Sequence, residues 1–130
     1  MWEKKSDDGG IHDRDQRWNW PGGFDQLVAQ LNADSFAGHD DWRVPNVKEL
    51  QSIINYGVAS PAVDPVFHHD CEPGCDVIAC SCTALEFHWT ATSHVLGPTL
   101  ARLVHFEIGS IVIGAKELGF FAVRAVRGGV

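Results

Sequence analysis

The chain has 130 residues, enough for one domain, and 45% of them are hydrophobic, an ordinary share for a folded core. Its 17 acidic and 10 basic side chains leave a formal charge of −7, which argues against a nucleic-acid groove or an anionic membrane surface as partner. No apolar run reaches bilayer-spanning length. The opening MWEKKSDDGG has neither the apolar core nor the cleavage site of a signal peptide, so no leader is expected and the compartment stays open.

In chain order, Met1 to Lys5 is short and suits an edge strand. The polar, glycine-containing SDDGGIHDRDQR, Ser6 to Arg17, reads as a loop. Trp18-Asn19-Trp20-Pro21 sets two aromatics against a turn. Phe24, Leu27, Val28 and Leu31 recur at helical spacing and predict a first amphipathic helix, followed by a loop from Asn32 to Asp41. The clearest local signal is WRVPNVKELQSIINYG, Trp42 to Gly57. Pro45 holds Val44 extended, and Asn46 is a good N-cap because its side-chain oxygen accepts from a free N–H in the first turn. Glu49 can reach back to the Asn46 N–H and close a capping box. Val47, Leu50, Ile53 and Ile54 form one apolar face, and Gly57 supplies a left-handed stop. Trp42 reads as a packing residue, since tryptophans beside amphipathic helices bury their large area.

Ser60 to Pro73, with three prolines, should be irregular. Phe87 to Thr92 alternates like a strand. Leu100 to Gly114 reads as two strands joined near Glu107 to Ser110, with Gly109 in the turn. Phe120 to Arg127 is rich in aromatic and β-branched residues and predicts a last strand. Helices come early and strands late. The expected class is therefore α+β, a single domain over residues 1–130. In it two amphipathic helices pack on a mostly antiparallel sheet built largely by the C-terminal half.

Cys71, Cys75, Cys80 and Cys82 crowd one short polar stretch. Two disulfides are the leading reading, with three connectivities open; a Cys80–Cys82 bond would be strained, which favours crossed or nested pairing. Zinc is the runner-up, with His68 or His69 close by, but the C-x-x-C knuckle is absent. Four reduced thiols in a loop are the remaining alternative. Asp7, Asp8, Asp13 and Asp15 offer oxygens, yet the EF-hand pattern fails at Arg17, so a solvated acidic loop is expected and no metal or cofactor is assigned.

Among the histidines, His12, His39, His68, His69, His88, His94 and His105, only His39 beside Asp40 and Asp41 suggests an oriented base, and loop hydrogen bonding explains it equally well. No serine lies in a nucleophile elbow, and Gly9-Gly10 and Gly128-Gly129 read as turn or tail glycines rather than a phosphate loop. No catalytic residue is assigned. Arg43, Arg124 and Arg127 carry guanidinium forks that match sulfate and carboxylate, but a structural ion pair, with Glu49 or Asp64, is the favoured reading of Arg43.

Taken together, MWEKKSDDGGIHDRD, FAGHDDWRVPNVKELQSIINYG, SPAVDPVF, FHWTAT and the closing FAVRAVRGG resemble the DUF1566 family, the C-terminal domain of Legionella collagen-like adhesins. Order and spacing match along nearly the whole chain, and WRVPN-x-x-EL and VRAVRGG are the more specific pieces. The resemblance implies a C-type-lectin-like fold of the kind found in formylglycine-generating enzymes and lectins. There an R-[LV]-P turn leads into a helix and a last strand ends in an arginine-bearing segment. It also implies an extracytoplasmic module, some relatives of which bind sulfated polysaccharides. The chain departs from the family pattern at Trp89-Thr90-Ala91-Thr92, where W-S-S-T is usual, and at Leu96 to Arg102, which is more apolar than the usual loop. Against that pattern it is also expected to begin inside the family's domain, without the N-terminal strand. An unpaired sheet edge invites a second chain, so a homo-oligomer, a dimer first, is expected.

The functional expectation is a non-catalytic binding module for a carbohydrate or a protein surface. Ser93 to Arg102 and the turn at Glu107 to Ser110 would meet the ligand, with Arg43, His94, Arg102, Glu107 and Arg124 as candidate binding residues. The alternative is a structural or assembly protein whose homo-oligomer interface, around Val95, Leu96 and Leu100, is the functional surface. An enzyme ranks last, and no nucleic-acid or membrane partner is expected.

Overall fold

A computed structural model describes residues 1–58 and 60–128 of the chain; Gly129, read above as a tail glycine, lies outside them. Helical structure begins where Asn19 caps it, its side-chain oxygen accepting from the Gly22 N–H at 2.9 Å, with Pro21 in the first turn. The run comprises α1 (Trp20–Gly22), a π-helical segment (Gly23–Val28) and α2 (Ala29–Ala33). It turns Leu27 and Leu31, at 0% and 1% exposure, into the core. Burying each stabilises the fold by roughly 1.5–3 kcal/mol relative to leaving it in water.

The capping box forms as expected: the Glu49 N–H donates to Asn46 Oδ1 at 2.8 Å, and the Asn46 N–H donates to Glu49 Oε1 at 3.0 Å. The α3 helix (Val47–Gln51) is nonetheless short. The apolar pattern runs on through Ile54, but there the backbone leaves the helix to pair with a distant segment. Ile54 bridges Val63, and the Asn55 N–H donates to the Ala62 carbonyl at 2.9 Å.

The sheet contains β1 (Phe87–His94), β2 (Gly97–His105) and β3 (Ser110–Ala115), antiparallel in that order. Trp89 sits opposite Leu103, which sits opposite Val112. Gly109, with φ of +81°, makes the β2–β3 turn. The stretch from Ser93 to Arg102, expected as a loop, is instead the tip and arms of the β1–β2 hairpin. The expected last strand also takes another form. Phe121 bridges Trp18, Ala122 bridges His88, and Val126 bridges both Trp2 and Arg43, so Phe120 to Arg127 is tied by isolated bridges rather than a continuous ladder. Met1 to Lys5 lies along this segment: the Glu3 N–H donates to the Ala125 carbonyl and the Arg127 N–H to that of Met1.

Two core clusters follow from strand alternation. Ala101 and Leu103 of β2 join Leu27, Leu31, Trp42, Val44 and Trp89. Val104, pointing the other way, joins Leu50, Ile53, Val63 and Phe106. The architecture is thus mixed α+β around a three-stranded antiparallel sheet. No helix among the described residues is long and apolar enough to cross a membrane.

Candidate functional site

The WRVPN junction is locked in place from several directions. Trp42 is 3% exposed; its indole N–H donates to the Phe36 carbonyl at 3.0 Å, and Asn32 pairs with its backbone N–H and C=O at 2.7 and 3.0 Å. The Ala91 N–H donates to the Pro45 carbonyl at 2.7 Å, and the Val47 N–H to Thr92 Oγ1 at 2.9 Å, fastening the junction to β1. Arg43 spends its fork inside this joint. Its Nη1 and Nη2 donate to the two carboxylate oxygens of Glu49 at 2.7 and 2.6 Å, and Nη2 also reaches the Gly128 carbonyl. These bonds hold the Glu49 carboxyl below, and the Arg43 guanidinium above, their usual pKa ranges. Glu49 therefore closes the helix cap and the ion pair with one side chain.

Arg124 points inward. It is 1% exposed, its Nη1 donates to Thr83 Oγ1 at 3.2 Å and to the Phe67 carbonyl at 3.4 Å, and its Nη2 donates to the Cys82 carbonyl. Burial pushes its pKa down to about 10. Beside it lies a buried cluster that sequence reading missed. Glu3 Oε1 accepts from Lys5 Nζ and from the Ala125 N–H, each at 3.0 Å, while Oε2 lies 3.1 Å from His12 Nδ1. Burial alone would raise the Glu3 pKa, but the Lys5 charge and the hydrogen bonds from His12, Ala125 and Lys5 hold it below the usual range. The signal available was the alternation of Glu3 and Lys5 along an extended segment, which places both on one face.

The other candidates are spread along the hairpins. His94 ends β1, and its Nδ1 is buried without a partner among the described residues. Arg102 lies in β2 opposite Ile113, and Glu107 is exposed in the turn after β2. The length of β2 separates His94 from Glu107 by about 27 Å. His94 and Arg102 thus share one hairpin, while Arg43, Glu107 and Arg124 stand elsewhere, and the five do not converge on one pocket.

One end of the sheet is conspicuously apolar. Val95 and Leu96 form the β1–β2 tip at 85% and 87% exposure. The Lys116 N–H donates to the Thr99 carbonyl, which brings Leu118, 83% exposed, to the same end. Lys116 Nζ sits 4.0 Å from the centre of the Trp20 ring and bonds Ser93 Oγ at 2.6 Å, giving this end a polar rim. Two shallow grooves lie elsewhere, one of about 520 Å³ along Ser52 to Tyr56 and Asp64, the other of about 410 Å³ between Trp2 and His69. His88 and Arg124, whose pKa values burial pushes down to about 3 and about 10, line neither groove.

The cysteines pair in nested fashion, Cys71 with Cys82 and Cys75 with Cys80. In the acidic loop one carboxylate oxygen from each of Asp7, Asp13 and Asp15 lies within 4.8 Å of the other two. They are engaged locally: Asp13 accepts from the Gly9 and Asp15 N–H groups, both at 2.7 Å, and Arg14 lies 3.4 Å from Asp7.

Among known families, the model described as the Lcl C-terminal domain matches residues 1–127. No curated protein and no solved structure matches the chain.

Proposed function

Since the chain belongs to the Lcl C-terminal domain family, we propose that it is a non-catalytic binding module with a C-type-lectin-like fold. In this reading its amphipathic helical segments pack on the antiparallel sheet, and the β1–β2 hairpin end meets a carbohydrate or a protein surface. The observation that carries the reading is the nearly full exposure of Val95 and Leu96 at the hairpin tip, with Leu118 exposed and Lys116 set over Trp20 at the same end of the sheet. Apolar groups clustered within a polar rim are the usual mark of an interaction site. His94 and Arg102, on the same hairpin, are the polar candidates best placed to join it. Arg43 and Arg124 serve the joint and the interior, and Glu107 lies at the far end.

The test uses oxidised protein and its Leu96→Asp variant, which alters only an exposed position and should keep the native circular dichroism. A glycan-array signal that the variant loses supports the carbohydrate version, and no signal above background removes it. A second reading, a structural protein whose homo-oligomer interface is the main functional surface, is favoured by β3. Among the described residues that strand pairs only with β2, and its Val112 and Ile113 are 36% and 45% exposed. Light scattering at high concentration checks it: a dimer is expected, and a monomer removes the second reading.

A further inference from the structure

Although the four cysteines pair in two bonds, their sulfurs form a single cluster. Cys82 Sγ lies 3.7 Å from Cys75 Sγ and 3.8 Å from Cys80 Sγ, neither of which is its disulfide partner. The sulfurs of Cys71, Cys75 and Cys82 all fall within 4.8 Å of one another. Four thiolates around zinc, each at about 2.3 Å, occupy a tetrahedron whose edges are about 3.8 Å. Two of the four non-bonded sulfur pairs, Cys75–Cys82 and Cys80–Cys82, already have that edge length.

The loop backbone is held by bonds that do not depend on the disulfides. His69 and Ser81 exchange N–H···O bonds at 2.9 and 3.2 Å, the Cys82 N–H donates to the Lys5 carbonyl at 2.9 Å, and the Asp7 N–H donates to that of Cys75 at 2.9 Å. Asp76 Oδ1 accepts from the Ile78 and Ala79 N–H groups. Reduction therefore leaves the sulfurs facing one another. The surroundings also suit a tetrathiolate. A zinc ion with four thiolates carries two net negative charges, and the buried Arg124 guanidinium is hydrogen-bonded to the Cys82 carbonyl beside them. Cys71 and Cys75 are partly exposed, which gives a reductant its approach.

We propose that the loop is a two-state redox and metal site: oxidised, it is the nested disulfide pair; reduced by a dithiol, it binds one zinc ion through Cys71, Cys75, Cys80 and Cys82. In the first step each dithiol passes two electrons to one protein disulfide. The dithiol leaves as its own cyclic disulfide, and two protein thiols remain. In the second step zinc displaces the four thiol protons to solvent and forms four Zn–S bonds. The spacing of these cysteines does not resemble paired knuckles; the fold, not the interval, brings the sulfurs together.

The test takes the full chain, reduced anaerobically with a dithiol, freed of reductant and metal, then exposed to zinc and separately to cobalt(II). Expected are one zinc ion retained per chain after gel filtration and the visible absorption of a tetrahedral cobalt thiolate. The oxidised protein should retain none. Cys71→Ser and Cys80→Ser, prepared reduced, should each lose the stoichiometric ion. Circular dichroism is recorded with and without zinc, so that a chain that unfolds on reduction still gives an answer. Recovery of native ellipticity on adding zinc supports the proposal, and a chain that stays unfolded with zinc overturns it. A folded, reduced chain that retains no zinc also overturns it, as does zinc retention unchanged in both serine variants.

Discussion

His88 links this fold to pH. It is 3% exposed in β1, its ring meets Phe106 edge-on at 4.7 Å between centres, and Nδ1 lies 3.0 Å from the Glu86 carbonyl. Burial is the chief reason its pKa drops from 6.5 to about 3; the Glu86 carbonyl opposes the drop, and Arg124, Lys5 and Arg17 add to it. Between those two values the unfolded chain binds a proton that the folded chain refuses. Stability contributed by keeping this ring neutral is therefore full above the unfolded pKa and declines as pH falls toward the folded one. Going from pH 7 to pH 5, the loss works out to about 2 kcal/mol. Burial lowers the His68 pKa as well, and that contribution is shared by any variant at position 88. The assay is urea unfolding with disulfides intact at both pH values, for the native chain and for His88→Gln. The native chain should lose about 2 kcal/mol more than the variant over that interval. Equal losses in the two proteins would refute the argument that a buried neutral imidazole governs this pH range.

Glu49→Gln keeps an acceptor for the Asn46 cap but removes the charge facing Arg43. With both side chains partly exposed, 39% and 24%, the cost should be about 0.5–1 kcal/mol in urea unfolding and should shrink at high salt. Leu27→Ala, at a fully buried position, should cost about 3 kcal/mol, read as a lowered midpoint in calorimetry. At Gly109, φ is +81° and an added Cβ would meet Ile54 Cγ2 at 2.8 Å and Tyr56 Cε1 at 2.9 Å. Gly109→Ala should therefore cost at least about 1 kcal/mol and speed amide exchange across the β2–β3 turn, and unchanged exchange there would contradict the strain argument.

Some of this molecule could be read from the chain directly, because the relevant forces act between near neighbours. The proline, cap and capping box of Val44 to Glu49 interact within one turn, and Gly109 announces its turn because an L side chain resists that backbone. The β2–β3 hairpin and the burial of Trp42 followed from alternation and size in the same way, whereas the β1–β2 hairpin replaced an expected loop. The structural ion pair expected for Arg43, with Glu49 or Asp64 as partner, forms with Glu49, the nearer of the two in sequence.

Local spacing did not decide the rest. Helix α3 stops at Gln51 because Ile54 and Asn55 find partners in Ala62 and Val63. Phe120 to Arg127 touches β1 only through the Ala122–His88 bridge and then passes Val126 between Trp2 and Arg43 instead of forming a continuous strand. The nested cysteine pairing was one of the connectivities that spacing left open. Glu3 is buried against Ala125, and Arg124 against Cys82, by contacts between distant parts of the chain. Periodicity records which face a residue occupies on its own element. Only the assembled fold decides which charge lies opposite it, and the large cost of burying a charge without a partner makes that choice decisive here.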